Sequence, residues 1–156
     1  MTTAQRIVDL ATKAGVTITT AESCTGGMVS AALTDIAGSS AVFERGFVTY
    51  SNQANTDMLG VRAATLEAVG AVSEEVAREM AEGARRSAGA ALAVSITGIA
   101  GPGGSEHKPE GRVCFGLAST QDTFVETIEF GALGRENVRL AARDHALSLL
   151  LSSLKS

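Results

Sequence analysis

The chain has 156 residues, 45% of them hydrophobic, and a formal net charge of −4. That length and apolar content suit a single domain spanning residues 1–156 with a sizeable core. The mild acidity, the absence of tryptophan and the single tyrosine argue against a nucleic-acid surface, which needs clustered Lys/Arg and stacking aromatics. No apolar run approaches the roughly 18–20 residues that span a membrane. Cys24 and Cys114 have no partners at metal-ligand or disulfide-framework spacing. A cytoplasmic protein without metal, nucleic-acid partner or membrane partner is expected.

Ile7, Val8, Leu10, Ala11 and Ala14 recur at helical spacing, and Gly15 is a natural stop. Val16 to Ala21 reads as a strand. A helix then carries Met28, Val29, Ala32, Leu33 and Ile36 and ends near Gly38. Val42 to Tyr50 is β-branched and aromatic, which predicts a second strand, and Asn52 is placed to cap a short helix through Leu59. Ser73 is a good N-cap, with Glu74 and Glu75 complementing the positive end of a helix whose apolar stripe runs from Val76 to Ala88. Leu92 to Thr97 is a short apolar strand. Residues 98–111 hold five of the 17 glycines and both prolines and read as the main irregular loop. Strands at Val113 to Ser119 and Phe124 to Phe130 flank a tight turn at Thr120 to Asp122, and a helix from Arg135 to about Leu151 follows. Helices alternate with the first three strands and the last two form a hairpin. This order predicts a three-layer α/β domain with a mixed sheet.

Two segments carry the chemistry. The first, Thr20 to Gly27, turns from strand to helix through Ser23, Cys24, Thr25, Gly26 and Gly27. Such a turn shows a side chain at the sheet edge, and the first-turn N–H groups of the helix can hold an anion or an oxyanion. The second, Val94 to Gly104, runs from a buried strand into glycines that let a ligand approach the backbone. It has neither a phosphate-loop lysine nor a dinucleotide fingerprint in the required setting.

Ligands of parallel sheets gather at the carboxyl ends of the strands. Three such ends, at Ser23 to Gly27, Tyr50 to Asn52 and Thr97 to Gly104, would converge on one crevice. Ser23 reads either as a nucleophile in need of a base or as a helix cap. Cys24 reads as a small buried hydrophobe, His145 as a packed histidine, His107 as a solvated loop residue, and Lys108 as either a solvated loop lysine or an alternative base for Ser23. Arg139 and Arg143, four apart, suit either a phosphate or an ordinary charged surface.

AESCTGG at 21–27, AGSSAVFERGFVTYSN at 37–52, GAVSEEVAREMA at 70–81 and VSITGIAGPGG at 94–104 together resemble the C-terminal domain family of CinA, also known as nicotinamide-nucleotide amidase. The resemblance covers almost the whole chain, in the form that lacks the family's frequent N-terminal domain. It implies a three-layer α/β/α sandwich around a five-stranded mixed sheet. It also implies hydrolysis of the carboxamide of nicotinamide mononucleotide to nicotinate mononucleotide and ammonia, with no cofactor and no metal.

Ser23 matches the nucleophile, with Tyr50 beside it. Thr25, Gly26, Gly27, Asn52, Thr97, Gly98, Gly101 and Arg139 match the substrate pocket. One departure stands out: where the family pattern implies a base lysine after Tyr-Ser-Asn, this chain has Asn55. An amide cannot take a proton from serine at neutral pH. A pyridine-nucleotide binding module with little catalysis is therefore the alternative expectation. Scattered surface apolar residues suggest a homo-oligomer, although no coiled-coil heptad marks the interface.

Overall fold

Alternation along the strands divides the interior into two cores, as a computed structural model of residues 1–156 shows. Five strands, β1 (Ile18–Glu22), β2 (Phe43–Val48), β3 (Leu92–Gly98), β4 (Arg112–Ala118) and β5 (Thr123–Glu129), lie in the order β2-β1-β3-β4-β5. β2, β1 and β3 run parallel, and β4 and β5 are antiparallel additions. Six helices cover the sheet: α1 (Thr3–Ala14), α2 (Met28–Thr34), α3 (Asn52–Leu59), α4 (Ala63–Val69), α5 (Glu74–Ala88) and α6 (Arg135–Lys155).

The larger core joins Leu92, Val94 and Ile96 of β3 to α1, α2 and α6 through Ile7, Leu33, Val138 and Leu150. The smaller core joins Ala21, Phe47 and Ala93 to α3 and α5 through Leu59, Val76 and Met80. Two cores on opposite sheet faces make the expected three-layer sandwich. Small residues let α5 press close to its face. A Cβ on Gly116 would come within 2.5 Å of the Ala77 carbonyl, so only glycine fits there. The same face is tied down where Ser95 Oγ donates to that carbonyl at 2.6 Å.

Caps set most boundaries. Thr2 and Gln5 form a reciprocal capping box at the start of α1, and Gly15 closes its end at φ 67°. Ser73 caps α5 as expected, its side chain accepting from Val76 N–H. At α3 the cap is Ser51, which accepts from Ala54 N–H, and Asn52 is the first residue inside the helix. Ser51 takes this role because its backbone is extended, as an N-cap requires. α4 has no counterpart in the sequence reading: it is seven residues long, buries none of them and has no side-chain cap. α6 runs one turn beyond Leu151, to Lys155. No helix is long and apolar enough to cross a membrane.

Candidate active site

β1 ends in a carboxylate that faces inward. Glu22 is fully buried. Its Oε1 accepts from Thr25 Oγ1 at 2.7 Å and Val29 N–H at 2.9 Å, and its Oε2 accepts from Ser30 N–H at 2.9 Å and Ser30 Oγ at 2.7 Å. A buried carboxylate survives only with such a full set of donors. Glu22 therefore occupies the anion-holding N-terminus of α2, so that helix end is closed to an external oxyanion. Gly26 N–H is also committed, to the Ser23 carbonyl at 3.0 Å. The expectation that helix N–H groups near Gly26 and Gly27 receive an oxyanion is thus corrected for Gly26, Met28, Val29 and Ser30, whose N–H groups are committed. Gly27 N–H alone of that set is left without a partner. In this turn, the N–H groups that make no hydrogen bond to another residue are those of Cys24, Thr25 and Gly27.

The turn is closed by a residue far away in sequence. Arg139 of α6 donates through Nε to the Cys24 carbonyl at 3.0 Å and through Nη2 to the Thr25 carbonyl at 3.4 Å. It lies against Gly26, where a Cβ would sit 3.3 Å from Nη2. With φ of 56° and 106°, Gly26 and Gly27 supply the left-handed backbone that carries the chain into α2. Cys24 points into the large core, and burial pushes its thiol up to about 12, against smaller opposing effects of its own backbone hydrogen bond and of Arg139. A thiol so placed stays protonated and is no nucleophile. Ser23 is half-buried, with its N–H paired to the Ile96 carbonyl at 3.0 Å, and its hydroxyl makes no hydrogen bond to any protein group.

Ser23 opens into a cavity of about 300 Å³ whose walls include Tyr50, Thr97 and Gly98, the glycine-rich loop from Ile99 to Glu106, and Arg135. The sequence reading is met here in part: Ser23, Tyr50, Thr97, Gly98 and Gly101 come together. Thr25, Gly26, Gly27 and Arg139 build the turn behind the cavity without lining it. Asn52 is exposed and faces a separate groove with Gln53 and Leu66. Asn55 is buried inside α3, and its Oδ1, like Thr49 Oγ1 at the adjoining end of β2, has no hydrogen-bond partner.

Lys108 is not a free loop lysine. Its Nζ donates to the carbonyls of Val69 at 2.7 Å and Val72 at 2.6 Å, which ties the glycine loop to the turn between α4 and α5. His145 is packed as expected, 4.5 Å from the Phe115 ring and 2.5 Å from Glu126.

Two residues escaped the sequence reading. Arg135, at the start of α6, donates to the Gly101 carbonyl at 2.7 Å and to the Tyr50 hydroxyl, linking three elements at the cavity rim. Glu110 accepts from Gly103 N–H at 2.8 Å and Gly134 N–H at 3.0 Å, clamping the glycine loop to the entry of α6. One signal was available: Arg135 opens the same helix as Arg139, one turn earlier, where its side chain can reach the strand ends.

Known proteins resemble this chain in both sequence and fold. The nicotinamide-nucleotide amidohydrolase PncC of Escherichia coli K12 is 56% identical over 137 residues, which cover 87% of this chain and 83% of that protein. A CinA-like protein of Chlorobium phaeobacteroides is 52% identical over 92% of this chain and 36% of its own length. The crystal structure of the competence/damage inducible protein CihA from Agrobacterium tumefaciens superposes with a TM-score of 0.94 at 47% identity, covering 99% of this chain and 94% of that one. The model of the CinA C-terminal domain matches residues 1–154, and this chain belongs to that family.

Proposed function

We propose that the chain is a nicotinamide-nucleotide amidohydrolase that converts nicotinamide mononucleotide and water to nicotinate mononucleotide and ammonia. The observation that carries this reading is Ser23, unpaired at the floor of a polar cavity, in a chain 56% identical to a protein of that name. Ser23 Oγ attacks the carboxamide carbon, and the C–N bond breaks as the serine proton passes to the leaving ammonia. Water then cleaves the resulting ester, giving the carboxylate and restoring the hydroxyl. The unused N–H groups of Cys24 and Thr25 are the oxyanion donors, because the residue after a nucleophile is well placed for that task. Tyr50, held by Arg135, is the proton-transfer group of the cavity, and Arg135 receives the substrate phosphate.

A second reading has its own support. No lysine, histidine or carboxylate is hydrogen-bonded to Ser23, and Lys108 is committed to two carbonyls. A binding module with feeble catalysis fits that arrangement. General-base catalysis is worth about 10²–10⁴-fold, so an ammonia-release assay separates the two readings. Measurable turnover that falls at least about a hundredfold on Ser23→Ala supports the amidohydrolase. Turnover appearing only on Asn55→Lys favours the binding module. Turnover unchanged by Ser23→Ala removes Ser23 as nucleophile. Exposed Val48 and Met58, on and after edge strand β2, support a homo-oligomer, and the cytoplasm is its proposed location.

A further inference from the structure

The cavity contains one acidic and one basic side chain, Glu106 and Arg135, and neither takes part in any of the protein's six ion pairs. Glu106 sits at the tip of a two-residue turn in which Ser105 and Lys108 exchange backbone hydrogen bonds of 2.9 and 2.8 Å. Glu106 and His107 have φ of 52° and 65°, and no other non-glycine residue in the chain has a positive φ. Such turns ordinarily take Asn-Gly, since side chains with a Cβ are disfavoured in the left-handed region. A costly backbone at a cavity rim marks a position chosen for what it presents. The turn is fastened on its far side by Lys108 to Val69 and Val72. Glu106 Oε2 lies over Gly70, where any Cβ would collide with it.

We propose that Glu106 is a specificity residue that recognises the positive charge of an N-glycosylated pyridinium ring, with Arg135 taking the phosphate of the same molecule. The inference rests on the proposed function and adds how the substrate class is selected. A nicotinamide nucleotide has a cationic ring and an anionic phosphate, so a cavity with one carboxylate and one guanidinium complements it charge for charge. The same carboxylate disfavours the deamidated product, whose ring has gained a negative carboxylate, and so promotes its release.

The reduced, dihydropyridine form of the nucleotide tests the idea, because it keeps carboxamide, ribose and phosphate and loses only the ring charge. Calorimetry on the intact protein carrying Ser23→Ala, which prevents turnover, measures both ligands. Adding Glu106→Gln is expected to weaken binding of the oxidised nucleotide about three- to tenfold and that of the reduced form less than twofold. Glu106→Lys should reverse any preference for the oxidised form. Equal weakening of both forms would mean a ribose contact and would overturn the proposal, as would no weakening of either. Failure of both nucleotides to bind, with no ammonia released by the wild-type chain, would remove the proposed function as well. Turnover with unchanged ring-charge discrimination would remove only the role of Glu106.

Discussion

The two glycine-rich segments that meet at the cavity are built on opposite plans. The Ser23–Gly27 turn is fixed from inside by a fully buried Glu22 with four donors, to which half-buried Arg139 of α6 adds a grip on two carbonyls. The loop after β3 is fixed from outside, by the partly or fully exposed side chains of Lys108, Glu110 and Arg135 reaching backbone groups. Buried charge–dipole contacts cannot be exchanged for water, whereas exposed ones can. The first segment is thus a rigid platform beneath the Ser23 hydroxyl. The second is an adjustable wall that can fit a ligand at low cost.

The strongest test of this contrast is Glu22→Gln. The amide brings a donor to a site that already holds four donors, so one pair must face each other unsatisfied. Urea denaturation should show a loss of about 2–4 kcal/mol. A loss below about 1 kcal/mol would break the idea that the turn is anchored from within. Lys108→Met is the matching test outside. The carbonyls of Val69 and Val72 regain water, so stability should fall by only about 1 kcal/mol. Amide exchange at Ser105 and Lys108 should quicken, and exchange around Ser23 should not change.

The last effect is absent at neutral pH and concerns Cys24, which sharpens the picture of a dry platform. Its folded value lies above the ordinary 9.0, so the neutral thiol favours the folded state fully below that pH. As pH rises from 9 toward 12, the unfolded chain gives up its proton and the folded one keeps it. Stability should then fall by up to about 1.4 kcal/mol per pH unit. Relative to Cys24→Ala, the wild type should show the steeper decline in a pH series of thermal melts. Parallel curves would mean that water reaches the thiol.

Much of the frame was legible because it rests on local signals. The short apolar run from Leu92 to Thr97, the Ser73 cap and Gly15 specify their elements without help from distant residues. The convergence of three strand ends followed from parallel-sheet topology, and it correctly gathered Ser23, Tyr50 and Thr97. What could not be read is long-range pairing. Nothing near Glu22 in sequence says that its carboxylate folds back onto α2 instead of facing a ligand. Arg139 and Arg135 both lie on α6, and only the tertiary fold sends one to the turn's carbonyls and the other to Tyr50. α4 stayed invisible because seven exposed or half-exposed residues leave no periodic stripe.

The reach of α6 back to the first strand also sets an order of events during synthesis. Arg139 grips carbonyls 114 and 115 residues upstream. A nascent chain that has emerged as far as Glu129 has every strand of the sheet and its serine, but neither arginine. The domain is made N-terminus first, so the pocket is completed only when the last helix docks. Until then the serine turn has half of its anchors, and the cavity lacks its one guanidinium.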